Sequence, residues 1–183
     1  MRRVVLVAIC AVIACCGEAH QPASLKTVAA FEVPLPLEAD RDQFLSVLRA
    51  AAEAEGMRVH AASKGELESE AKASPNFQMT IHAAVWRGPN DDELVASAMD
   101  QFDHLGQVWL MFSRGEDPAI AGRFRERAMD EILLHWPSTL SLPIMPTGAI
   151  PLRGDLIRTL TGYIVKPSEA HKYDLRSTEA QPH

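Results

Sequence analysis

The chain has 183 residues, 47% of them hydrophobic and 23% charged, which is the composition of one ordinary globular domain with a real core and not of a disordered segment. A formal net charge of −6 lacks the basic footprint that a phosphate backbone requires, so neither nucleic acid nor a polybasic membrane patch is expected. All three cysteines, Cys10, Cys15 and Cys16, fall in the first sixteen residues, so the body cannot form an internal disulfide, and thiol catalysis and cysteine-based zinc sites are excluded from it.

In chain order, Arg2 and Arg3 come first, followed by the apolar run from Val4 to Ala14. That run is too short to span a bilayer, which takes about 20 residues, and it fits the hydrophobic region of an export signal. Its end, Val12-Ile13-Ala14-Cys15, resembles the lipobox of bacterial lipoproteins: an aliphatic residue, a tolerant position, a small residue, then cysteine. The resemblance covers the first sixteen residues only. It implies a diacylglycerol thioether on Cys15 and cleavage after Ala14, usually with acylation of the new amino terminus. Residue 16 is not Asp, which favours the outer membrane. The alternative is ordinary secretion to the periplasm, with cleavage after Ala19 in Gly17-Glu18-Ala19. Residues 15–28 read as a tether between the anchor and one globular domain over 29–175, with 176–183 loose.

Within the domain, Phe31 to Leu37 alternates as a first strand, and Pro34 and Pro36 confine it to an edge or to one-sided pairing. Asp40 reads as the N-cap of a helix with Phe44, Val47, Leu48 and Ala51 on its inner face and Gly56 as its stop. Met57 to Ala61 begins a second strand. Lys64 to Ser74 is polar and reads as a solvated loop or frayed turn. Phe77 to Trp86 alternates, with Phe77, Met79, Ile81, Ala83 and Val85 facing the core. Residues 92–105 fit a helix and a strand equally. Val108 to Phe112 is a buried strand. Asp117-Pro118 opens a second helix, with Ile120, Phe124, Ala128, Ile132 and Trp136 inward and Pro137 ending it. From Leu142 to Leu152 three prolines forbid a helix or a central strand, so an extended segment lying across the domain is expected. A short strand over Gly162–Val165 and a last helical turn at Pro167–Ala170 follow.

This order gives an α+β fold. It is a small antiparallel sheet of about four to five strands with two or three helices on one face and a proline-rich extended tail. A helical 92–105 makes it resemble a ferredoxin-like order; a strand there makes it a meander.

No phosphate loop, GxSxG elbow or HExxH occurs, so the domain is not expected to be an enzyme and no cofactor is expected. His60 and His82 fall out of phase with the core on adjacent strands and could begin a metal site, with Glu66 or Asp91 as a third ligand in principle; scattered surface histidines are the commoner meaning of such a pair. The acidic run Asp91-Asp92-Glu93 reads as a solvated turn, because calcium wants more oxygens at fixed spacing. Trp86, Arg87 and Arg114 stand at similar strand ends. An exposed Trp beside Arg is the composition of a protein-binding hot spot, and two arginines at one edge suit an anionic partner. Together these features point to a periplasm-facing envelope lipoprotein that binds an envelope protein or serves a larger assembly. An immunity or inhibitor protein against a periplasmic toxin or hydrolase is the nearest alternative. An envelope hydrolase, or a small-ligand carrier with a pocket beneath the tail, is the more distant one.

Overall fold

The computed structural model describes residues 23–74, 78–100 and 104–173. The leader with Cys15, most of the tether, Phe77, Phe102 and the last ten residues lie outside them. No helix among the described residues is long and apolar enough to cross a membrane.

The fold is α+β. Strands β1 (Thr27–Pro34), β2 (Arg58–Ala61), β3 (His82–Arg87), β4 (Glu93–Met99), β5 (Gln107–Ser113) and β6 (Leu140–Ser141) form one six-stranded antiparallel sheet in the order β2-β3-β4-β5-β1-β6. A separate hairpin pairs β7 (Leu156–Arg158) with β8 (Tyr163–Val165). Residues 92–105, ambiguous in the sequence, supply β4, so the meander holds and the ferredoxin-like order does not. The first strand begins at Thr27, inside the segment expected as tether, and it is not an edge. It pairs with β5 over its whole length and with the two-residue β6 at Phe31 and Glu32.

Helices α1 (Glu38–Ala54) and α3 (Pro118–His135) pack on one face of the sheet, here the inner face. Asp40 is not the N-cap of α1. It sits three residues inside the helix, and its carboxylate accepts from the Leu37 amide at 3.1 Å. The other end closes as expected. Gly56 takes φ +70°, which a side chain disfavours, and Met57 N–H reaches back to the Ala52 carbonyl at 2.8 Å. Asp117 caps α3 by accepting from the amides of Ala119 and Ile120. Phe44, Leu48, Phe112, Phe124 and Ile132 are at most 1% exposed between the layers, and the Phe112 and Phe124 rings meet edge to face at 5.7 Å.

Residues Lys64 to Ser74, expected as a solvated loop or frayed turn, hold a third helix, α2 (Lys64–Ala73). It buries no residue, so no apolar period marks it, but Ser63 and Glu66 form a reciprocal capping box. The carboxyl of Glu66 is held below its ordinary range by the Ser63 backbone bond first and the Ser63 hydroxyl second.

The tail crosses the opposite, outer face. Leu142 and Leu156 pack on Ala30 and Trp109, with Met111, Ile144, Ile150, Tyr163 and Val165 around them. Side chains thus pack beneath the tail, where the small-ligand-carrier alternative would have placed its pocket.

Candidate interaction surface

Among the described residues, the tail's apolar cluster reaches the outer face over β1 and β5 only. The strip over β2, β3 and β4 is not sealed by it. Cross-strand register sets who stands there: Arg58 opposite Trp86, His60 opposite Ala84, Ala84 opposite Ser97, and His82 opposite Met99. Arg58 and His60 are exposed, and His82, Trp86, Ser97 and Met99 are half-buried. The strip is mixed in character and continuous with Met111 and Trp109 at the tail's border, through the pairs Ser97–Met111 and Met99–Trp109.

A bulge in β4 helps to shape it. Val85 pairs with Ala96 and Trp86 with Leu94. The extra residue, Val95, therefore joins Ala96 in the inner core, and Leu94 turns outward beneath Trp86. At the rim, Asp91 takes φ +56°. Its carboxylate accepts from Arg58 Nε at 2.7 Å and meets His60 Nε2 at 3.0 Å. This clamp holds Arg58 across the strand end, beside Trp86.

The residues singled out in the sequence separate. Trp86 stands on the outer strip. Arg87 alternates to the other side and pairs with Glu93 at 2.9 Å. Glu93 is only 8% exposed and also accepts the Glu116 amide at 2.7 Å. Gly115, at φ +70°, leaves room for that carboxylate, since a Cβ there would lie 2.7 Å from Glu93 Oε1. Arg87 thus serves the β3–β5 end of the sheet, and the two arginines do not form a free cationic pair. Arg114 is exposed, and its backbone N–H is tied to the Lys26 carbonyl.

His60 and His82 share a face on neighbouring strands, but Asp91 is engaged with Arg58 and Glu66 caps α2. Among the described residues no group of three His, Cys, Asp or Glu side chains could hold a metal ion.

Sequence reasoning missed two further features. One is a groove of about 340 Å³ between α1, α2 and residues 78–81, with Leu45, Leu67, Met79 and Ile81 as apolar walls and Arg41 and Glu68 on its lining. The other is a polar latch under the tail. Glu32, 6% exposed, accepts from Tyr163 Oη at 2.7 Å and from Trp109 Nε1 at 3.2 Å. Arg153 Nη2 lies 2.6 Å from the same carboxylate. That is close enough for an ion pair, although it is not aligned as a hydrogen bond and Nε meets no acceptor among the described residues. The guanidinium also covers the Trp109 ring at 5.0 Å. Burial first, and the Glu32 bond second, push the Tyr163 phenol above its ordinary range. A second clasp joins Asp155 to Tyr173 Oη at 2.7 Å and to Lys172 at 3.2 Å.

No protein-family model, curated protein or solved structure matches the chain.

Proposed function

We propose that this protein is a lipid-anchored module of the bacterial envelope, facing the periplasm, that binds another envelope protein through the open strip over β2, β3 and β4. The leader ending in Val12-Ile13-Ala14-Cys15 supports the anchor. The observation that carries the binding role is the contrast on one sheet face. The tail seals the β1–β5 half, while Trp86 stays half-exposed on the other half with Arg58 fixed beside it. A strip with a large aromatic and an oriented arginine is the kind of surface on which binding energy concentrates. An immunity or inhibitor protein and an accessory subunit would both use such a strip; the acidic chain would speed docking onto a basic enzyme in the first case.

The test places a photo-cross-linking residue at Trp86 and, as control, at Glu53 on α1, in intact cells. One dominant partner captured from position 86 and not from 53, and lost with Arg58→Ala, is the expected result; its identity distinguishes inhibitor from accessory subunit. Equal capture from both positions would refute the strip. Intact mass of the protein from the membrane fraction tests the anchor separately, through acyl additions on Cys15.

The groove beside α2 supports a second reading, a small-ligand carrier. Native mass spectrometry would then show a bound mass that Ala71→Trp, which fills the groove, removes.

A further inference from the structure

Leu160 is 99% exposed, more than any other large apolar side chain among the described residues. It caps the β7–β8 hairpin. Behind it Ile157 and Ile164 are direct cross-strand partners, at 41% and 51% exposure. Cross-strand partners point to one side, so these two aliphatic side chains form a pair on the side of the hairpin turned away from the sheet.

The tip is built to stay there. Thr159 N–H donates to the Gly162 carbonyl at 2.7 Å, and the Thr159 hydroxyl receives the Gly162 amide at 3.2 Å. Ser141 Oγ holds the Thr161 carbonyl at 3.2 Å. Gly162 lies flat on β6, where a Cβ would stand 2.3 Å from Ser141 Oγ and 2.6 Å from its carbonyl oxygen. The turn is therefore docked against the sheet edge, with Leu160 directed into solvent.

The local charge is opposite to that of the chain. Residues 152–166 hold Arg153, Arg158 and Lys166 against one acid, Asp155. Arg153 is spent on Glu32 and Asp155 on Lys172 and Tyr173. Arg158 and Lys166 remain: Lys166, in phase with Ile164, donates only to a backbone carbonyl, and Arg158, the cross-strand partner of Tyr163, starts from the sheet-facing side but is exposed at the hairpin's rim and without an ion pair among the described residues. The same tail folds its 145–148 turn onto Lys26 and Thr27, where the tether enters the fold.

We propose that the β7–β8 hairpin is a membrane-contact element that seats Ile157, Leu160 and Ile164 at the acyl boundary of an anionic phospholipid surface, with Lys166 at phosphate level beside Ile164 and Arg158 reaching that level from the hairpin's other edge. Aliphatic side chains flanked by cations suit that boundary. Protein hot spots favour Trp, Tyr and Arg and under-use Leu, so the composition favours lipid over protein. The proposal rests on the lipid-anchor reading for proximity. Eight residue steps separate Cys15 from Ala23, at most about 28 Å of extended chain, so an anchored domain meets the bilayer at high effective concentration.

The test uses the full chain expressed in cells, with Cys16→Ser to remove the free thiol. Leu160→Cys carries an environment-sensitive fluorophore, and Glu53→Cys on α1 carries the same label as control. On vesicles of phosphatidylglycerol and phosphatidylethanolamine, the label at 160 shifts to the blue. A lipid-borne quencher acts on it several-fold more than on the label at 53, and Arg158→Glu reduces that difference. Equal quenching at the two positions overturns the proposal, as does a label at 160 that stays unquenched by lipid while a photo-cross-linking residue at the same position captures a protein in intact cells. Intact mass reports acylation of Cys15 independently. If acylation is absent, the anchor reading fails, and quenching of protein that also carries Cys10→Ser and Cys15→Ser, added to excess vesicles, still decides the hairpin.

Discussion

The inner and outer faces of the sheet are closed by different physics. On the inner face, alternate positions of β1 to β5 meet α1 and α3 in one apolar layer, with Phe44, Phe112, Phe124 and Ile132 at most 1% exposed. On the outer face a strap with little regular structure lies over Ala30 and Trp109, and it is pinned by Glu32 with Arg153 and by Asp155 with Tyr173 and Lys172. Apolar burial is non-directional and scales with area, whereas the pins depend on charge and geometry. The tail is therefore expected to open locally before the domain unfolds.

The sharpest way to break this contrast is to weaken the inner layer. Phe124→Ala leaves a cavity against Phe112 and is expected to cost about 3–5 kcal/mol, lowering the urea midpoint of the whole domain in one transition. A loss confined to the tail would place the main core elsewhere. The next effect is smaller and local. Arg153→Met strands the Glu32 carboxylate under the tail at a cost of roughly 2–3 kcal/mol, at or below the low end for buried pairs because the guanidinium keeps some solvent contact. Amides of residues 142–165 should exchange faster while those of α1 and α3 do not. Adding Glu32→Leu should recover only part of the loss, since it removes the unpaired charge but leaves Tyr163 Oη and Trp109 Nε1 without their acceptor.

The Asp155 clasp adds a pH dependence to the same layer. The Tyr173 hydroxyl first, and Lys172 against the opposing effect of burial, hold the Asp155 carboxyl below its ordinary range. Burial first, and the bond to Asp155 second, hold the Tyr173 phenol above its own. A lowered carboxyl stabilises above its unfolded value and loses that contribution as pH falls through the folded one; a raised phenol stabilises below its unfolded value and loses it as pH rises through the folded one. Tail amides should therefore be best protected between about pH 4 and pH 10 and open at either end. Tyr173→Phe should remove most of the acid-side protection and leave that of α1 and α3 unchanged, as read by hydrogen exchange.

What the sequence revealed follows the same division. The ends of α3 and its inner face were legible because Asp117, Pro118 and the Phe124–Ala128–Ile132 spacing act locally. Residues 92–105 were ambiguous because the bulge at Val95 breaks the two-residue period, leaving Leu94, Val95, Ala98 and Met99 at helical spacing as well. Helix α2 was missed because it buries nothing, although Ser63 and Glu66 spelled its cap. The outward phase of Trp86 was readable from alternation. The commitment of Arg87 to Glu93 was not, because it depends on pairing across the 88–92 turn. The latch under the tail joins Glu32 to Arg153 and Tyr163 from far along the chain, beyond any local pattern.

The smallest expected effect on stability probes the most exposed residue of the outer layer. Every bond that fixes the β7–β8 turn comes from the backbone or from Thr159 and Ser141. The Leu160 side chain contributes none of them and is 99% exposed. Leu160→Ser should thus shift stability by no more than about 0.5 kcal/mol, within the range of ordinary surface substitutions. Thermal unfolding measured beside the parent protein decides it. An unchanged midpoint means that the fold holds a leucine in water that it does not need for packing, as the membrane-contact proposal requires. A large fall in the midpoint would make Leu160 a structural residue and would remove the apolar tip on which the membrane-contact proposal stands.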